Sequence, residues 1–154
     1  MSLILTSPAF GDGATIPLKH TRDGGNVSPL LQWTGAPSGA RSFALIVEDP
    51  DAPHGTFRHW AAFDIPPDRA HLPEGVQKKA EWASLRQGRN DFGNVRYDGP
   101  APPRGHGPHH YHFRLAALDA PSLPAPDGAG VEAIWRLARK HILEEAELVG
   151  VYQR

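Results

Sequence analysis

Asp49, His59, His109 and Tyr111 are the side chains whose types could work together chemically. Two imidazoles and a phenol supply N–H and O–H donors suited to the oxygens of a small anion. A carboxylate beside them would repel that anion, so Asp49 suits another task. It can orient a histidine and favour the imidazolium, or it can itself be protonated and donate. All four fall where predicted strands meet loops, the places where binding residues concentrate.

The stretch from Tyr97 to Phe113, YDGPAPPRGHGPHHYHF, holds four prolines, three glycines and four histidines. Such stiffness suits a loop that holds side chains still, and tight Gly and Pro turns can aim backbone N–H groups at an anion. Strand alternation puts His109 and Tyr111 on one face and His110 and His112 on the other. Only one of those pairs can therefore address a given pocket, with His106 in the loop before them. The bland readings stand beside these. Asp49 before Pro50 suits an Asx turn, His59 suits a satisfied strand histidine, and Trp60, Phe63 and Trp135 suit the core. A metal reading of HGPHHYH is a rival, although no HExxH or Cys accompanies it. No G-x-S-x-G elbow is present, and neither Ser42 nor Ser84 has a visible partner, so a covalent hydrolase has little support.

The chain's bounds narrow the classes. Its 154 residues suit one domain, 1–154, able to bury a core without staples, and the absence of cysteine excludes disulfides and thiolate sites. Sixteen basic against 17 acidic residues leave a net charge of −1, which argues against nucleic-acid binding through a broad basic face. The apolar run Leu3–Leu5 lacks a basic leader and is too short for a signal peptide or membrane span, so a cytoplasmic protein is expected.

Sixteen Gly and sixteen Pro, spread along the chain, predict many turns between short strands. Residues 1–8 read as an edge strand, Thr15–Lys19 as a second, and Leu30–Thr34 as a third. Ser42–Glu48 (SFALIVE) is nearly continuous in apolar residues, as expected of a strand covered on both faces. Its period places Phe43, Leu45, Val47 and Asp49 on one side. Asp49-Pro50-Asp51-Ala52-Pro53 is a rigid turn. Arg58–Ile65 is the next strand, with His59, Ala61, Phe63 and Ile65 on one face. Asp68–Leu72 suits one helical turn, Lys78–Leu85 a strand, Arg86–Tyr97 a loop and Tyr111–Leu118 a strand. Val131–Glu145 carries helical spacing with Asp127 as a candidate cap, and Ala146–Tyr152 alternates as a final strand. The expected fold is all-β with minor α: a two-sheet antiparallel sandwich with one or two short helices.

At these residues the chain resembles the phosphatidylethanolamine-binding proteins, also called the Raf kinase inhibitor family, and most closely their compact bacterial branch. GGNVSPLLQWTGAPSGARSFALIVEDPDAP resembles the first family signature, His59-Trp60 fits the histidine that follows it, and GRNDFG with YDGPAPPRGHGPHHYHF resembles the second. The resemblance implies two antiparallel sheets with Greek-key connections and a small pocket for phosphate or a phosphorylated headgroup. It carries the pocket onto Asp49, Pro53 and His59, and then onto Tyr97, Pro102, His109 and Tyr111. It thereby selects His109 over His110 and His112. Ala101 stands where relatives often have glycine or cysteine, and Phe57 and Arg58 differ at the pocket mouth. The expected partner is a small anion, with no cofactor, no metal, no enzymatic activity and a homodimer left open. Rival readings are an inhibitor-like protein docking a phosphorylated partner of a kinase or protease, and a His/Asp-dependent hydrolase.

Overall fold

The computed structural model describes residues 2–154. Nine elements in chain order are β1 (Ile4–Thr6), β2 (Leu31–Thr34), β3 (Ser42–Asp49), β4 (Phe57–Ile65), β5 (His71–Leu72), β6 (Arg86–Gln87), β7 (His109–Leu118), α1 (Val131–Ala138) and β8 (Ile142–Tyr152). The strands form two antiparallel sheets, a small one ordered β1-β2-β5 and a larger one ordered β6-β4-β3-β7-β8. Expectation and structure agree on the class: mostly β, with one short α-helix and four 3₁₀ turns.

Both faces of the large sheet are covered. On one side Phe43, Leu45, Val47, Trp60, Phe113 and Leu115 meet Leu5, Leu31, Trp33 and Leu72 of the small sheet. On the other, Ala44, Ile46, Ala61, Phe63 and Ala116 pack against Ile134 and Trp135 of α1. This double cover explains why β3 is apolar at nearly every position. Each fully buried large side chain, such as Phe113, contributes roughly 2–3 kcal/mol.

Several predicted elements differ. Thr15 makes only an isolated bridge to Val151, and Leu18–His20 is a 3₁₀ turn instead of a strand. The turn expected at Asp68–Leu72 ends instead as β5, because residues 71 and 72 pair with β2. The strand expected over Lys78–Leu85 is two 3₁₀ turns, Val76–Lys78 and Ala80–Trp82. Helix α1 stops at Ala138, and its N-cap is Gly130; Asp127 instead pairs with Arg86. From Ile142 the chain pairs with β7 along its whole length, which outweighs the helical periodicity there.

Two irregularities in β4 matter for the site. The pairing of β3 with β4 slips by one residue between Val47↔Trp60 and Glu48↔Arg58, leaving His59 as the extra residue. A second slip falls around Asp64, whose φ is 55°. Bulges re-aim side chains. The second one places Ile65 with Trp60 and Ala62 in the inter-sheet core, not with Ala61 and Phe63 as strict alternation predicts.

Candidate functional site

A cavity of about 220 Å³ opens at the ends of β3, β4 and β7. Its polar lining comes from Asp49, His54, His59, His109 and Tyr111, and its apolar walls from Ala52, Pro53, Phe57, Phe92, Ala101 and Pro103. Asp49 is the last residue of β3 and His109 the first of β7, so the sheet itself brings them together.

Asp49 does two jobs at once. Its Oδ1 accepts from the backbone N–H of Asp51 at 2.8 Å, the Asx turn that the D-P-D sequence suggests. Its Oδ2 accepts from Nδ1–H of His109 at 2.6 Å, inside a site where both side chains are almost wholly buried. The tautomer of His109 follows, since a carboxylate can only accept. The other ring nitrogen, Nε2, lies 2.6 Å from Nδ1 of His106. A chain Asp49–His109–His106 thus runs from the strand end to the exposed loop.

His59 is held differently. Its Nδ1–H donates to the backbone carbonyl of Asp98 at 2.8 Å. Its ring meets Tyr111 edge-on at 5.2 Å, with Phe57 at 5.0 Å and Phe92 at 5.6 Å. Burial pushes its pKa down, outweighing the Asp98 carbonyl and the charges of Asp49, Asp98 and Asp91. His59 is therefore neutral near pH 7, with a lone pair on Nε2. The sequence reading took His59 as an N–H donor to an anion; with Nδ1–H committed to the Asp98 carbonyl, the nitrogen left for a ligand is an acceptor. Burial also pushes the Tyr111 hydroxyl pKa up, with Asp49 adding to it, so the phenol keeps its proton.

The carbonyl that fixes His59 is itself fixed. Asp98 is fully buried, and its carboxylate accepts from Asn26 and Asn90 at 2.8 Å, Asn94 at 2.9 Å and Arg96 at 3.2 Å. Burial alone would raise the pKa of this group; the amide and guanidinium donors together bring it below the usual carboxylate value. Asn26 also accepts from the N–H of Gly99 at 2.7 Å. At Gly99 the loop touches His20 so closely that a methyl group would overlap the His20 carbonyl oxygen.

Of the seven residues expected at the site, five line this cavity: Asp49, Pro53, His59, His109 and Tyr111. Tyr97 does not. It is buried edge-on against Trp60, and its hydroxyl donates to the His20 carbonyl at 2.6 Å. Pro102 is buried beside the cavity, and its neighbour Pro103 lines it instead. Ala101 is part of the wall. His110 and His112 point away and pair with Asp51 and Glu147. Among the described residues no three His, Asp or Glu side chains converge as a metal-ligand set. Composition and periodicity did not signal Phe92 or the Asp98 hub, because both depend on loops meeting in space, nor the contact of His106 with His109, which depends on the turn between them.

Comparison with known proteins agrees with the fold. The family profile described as phosphatidylethanolamine-binding protein matches residues 6–153. A UPF0098 protein from Pyrococcus abyssi is 45% identical over 155 residues, covering 99% of this chain and 86% of that protein. The crystal structure of Escherichia coli YbcL, described as a new member of the mammalian PEBP family, superposes with a TM-score of 0.92. It shares 32% identity, and the match covers 100% of this chain and 99% of that one. CT736 from Chlamydia trachomatis superposes with a TM-score of 0.88 at 35% identity, over 99% and 98% of the two chains.

Proposed function

The chain belongs to the phosphatidylethanolamine-binding protein family, and from that membership we propose that its pocket binds a small phosphate-bearing ligand, free phosphate or a phosphorylated headgroup, without turning it over. One observation carries this reading. Two buried imidazoles, His59 from β4 and His109 from β7, are each fixed through Nδ1 by a protein oxygen and border one cavity with Tyr111. Side chains already fixed lose little freedom on binding, which favours affinity for a small ligand.

The surroundings support binding over catalysis. No Ser or Thr is among the lining residues, so the Asp49–His109 pair has no hydroxyl nucleophile of that kind to activate. A cation also stands close by. The Arg22 guanidinium lies 4.2 Å over the ring of Phe92, a wall residue, and the Arg22 N–H donates to the Pro100 carbonyl at 3.0 Å. Calorimetric titration with inorganic phosphate and with phosphoethanolamine tests the proposal. A saturable single-site heat, abolished in His59→Ala, is expected. Absence of heat with both ligands from pH 5 to 8.5 overturns it, as does hydrolysis of a phosphomonoester panel that is lost in His109→Ala.

A further inference from the structure

We infer that the pocket selects a phosphomonoester in its monoanionic form, with the P–OH hydrogen donated to Nε2 of His59. This rests on the phosphate-binding reading above and adds the protonation state and the class of ligand excluded.

The geometry leaves His59 little choice. Its Nδ1–H is committed to the Asp98 carbonyl, an oxygen that only accepts. The carboxylate of Asp98 holds that segment in place through four side chains, so the ring cannot exchange its two nitrogens without breaking the network. What the neutral ring presents to the cavity is an acceptor. The second imidazole does not compensate, because Nε2 of His109 is occupied by His106. A third group, the Asp49 carboxylate, lines the same cavity and also only accepts. A fully ionised oxyanion would meet lone pairs on His59 and on Asp49. An oxyanion that carries one proton satisfies the acceptor instead of opposing it.

The groups facing His59 from each neighbouring element bear on where that proton sits. Asp49 comes from β3, Tyr111 and His109 from β7, and Asp91 and Asp98 from the loop before β7. His54 lines the cavity from the turn between β3 and β4. The carboxylates favour a charged ring, yet burial among Phe57, Phe92 and Tyr111 outweighs them and keeps the ring neutral. Placing a dianion and an imidazolium together in this apolar space separates charge that a proton on the ligand would avoid. Among the lining residues the remaining phosphate oxygens have one hydroxyl donor, that of Tyr111, which has no hydrogen-bond partner among the described residues; Arg22 lies outside the lining, over the ring of Phe92. The six apolar wall residues then leave space for a short ester substituent. The cavity would hold about seven waters at about 30 Å³ each, more than one phosphate group fills.

Phosphate monoesters lose their second proton at about pH 6, whereas sulfate and sulfate esters carry none at neutral pH. The test compares methyl phosphate with methyl sulfate on the intact protein at about pH 8. Calorimetry in two buffers of different ionisation enthalpy reads the protons taken up, and the ³¹P shift of the bound ligand reads its protonation state. Expected are uptake approaching one proton per ligand, a monoanion-like ³¹P shift, and methyl sulfate binding at least tenfold more weakly. Binding of methyl phosphate with no proton uptake, a dianion-like shift, or equal affinity for methyl sulfate overturns this inference while leaving phosphate binding intact. Failure of methyl phosphate and inorganic phosphate to bind at any pH from 5 to 8.5 overturns the phosphate-binding reading itself. As a second readout, His59→Gln replaces the lone acceptor by an amide that can also donate, and the preference over methyl sulfate is expected to shrink several-fold.

Discussion

The Nδ1–H of His59 and the backbone carbonyl of Asp98 meet at 2.8 Å across 39 residues of chain, and the side chain of Asp98 never enters the cavity. Asp98 thus acts at one remove. Its carboxylate gathers Asn26, Asn90, Asn94 and Arg96, and the peptide it anchors sets the tautomer of the pocket imidazole. Asp98→Asn keeps the shape but turns an NH2 donor towards the amide and guanidinium donors around it. It is expected to destabilise the fold by about 2–3 kcal/mol, since buried donors are left unmatched. Urea unfolding measures this, and an unchanged midpoint would show that the network carries little stability.

Acid should weaken the fold in two stages. His20 and His59 both have pKa values lowered, first by burial, so the unfolded chain binds more protons than the folded one as pH falls through about 6.5. Stability is therefore expected to decline from pH 7.5 towards pH 5.5. Asp98 has its pKa lowered too, and its contribution is present above the usual carboxylate value and lost as pH drops through the folded one. Denaturant midpoints across pH 3 to 8 read both stages. In His59→Gln the first decline should be shallower; an identical slope would remove His59 from the explanation.

Tyr97 and Tyr111 are both wholly buried, yet their hydroxyls have opposite surroundings. That of Tyr97 donates to the His20 carbonyl at 2.6 Å, while that of Tyr111 has no partner among the described residues and its residue lines the cavity. Tyr97→Phe is expected to cost about 1 kcal/mol of stability and leave phosphate affinity unchanged. Tyr111→Phe should do the reverse, with a several-fold loss of affinity and an unaltered unfolding midpoint. Equal effects of the two variants would contradict this division.

What the sequence disclosed, and what it hid, divides along the same lines. Asp49, His109 and Tyr111 were legible because they sit on or beside strands whose apolar runs are unambiguous, and β3 and β7 lie where those runs predict. The role of His59 needed the bulge, since strict alternation would group it with Ala61 and Phe63, which face α1. Tyr97 was assigned to the site by resemblance, and nothing in its own neighbourhood distinguishes a wall from a core residue. Phe92 reaches the pocket, and Arg22 and Asp98 reach its Phe92 and His59, only through tertiary contact between segments separated in sequence. The short pairing of β5 and the early end of α1 were likewise decided by neighbouring strands, not by local preference.

His106 provides the last prediction. It is an exposed residue between Gly105 and Gly107, whose φ values of 74° and 84° lie in the left-handed region, and neither glycine is crowded. The glycines thus serve the backbone turn, and the turn delivers His106 Nδ1 to within 2.6 Å of His109 Nε2. Any ligand that contacts this nitrogen must first break that hydrogen bond, at a net cost of about 1 kcal/mol. His106→Ala removes the competitor while leaving the Asp49–His109 contact in place. Phosphate affinity is expected to rise about fivefold, the equivalent of that energy, with little change in stability because the side chain is exposed. Titration calorimetry of the variant decides between two roles for this histidine. Tighter binding identifies a plug that the ligand displaces; weaker binding would make His106 a ligand contact and reverse its assignment.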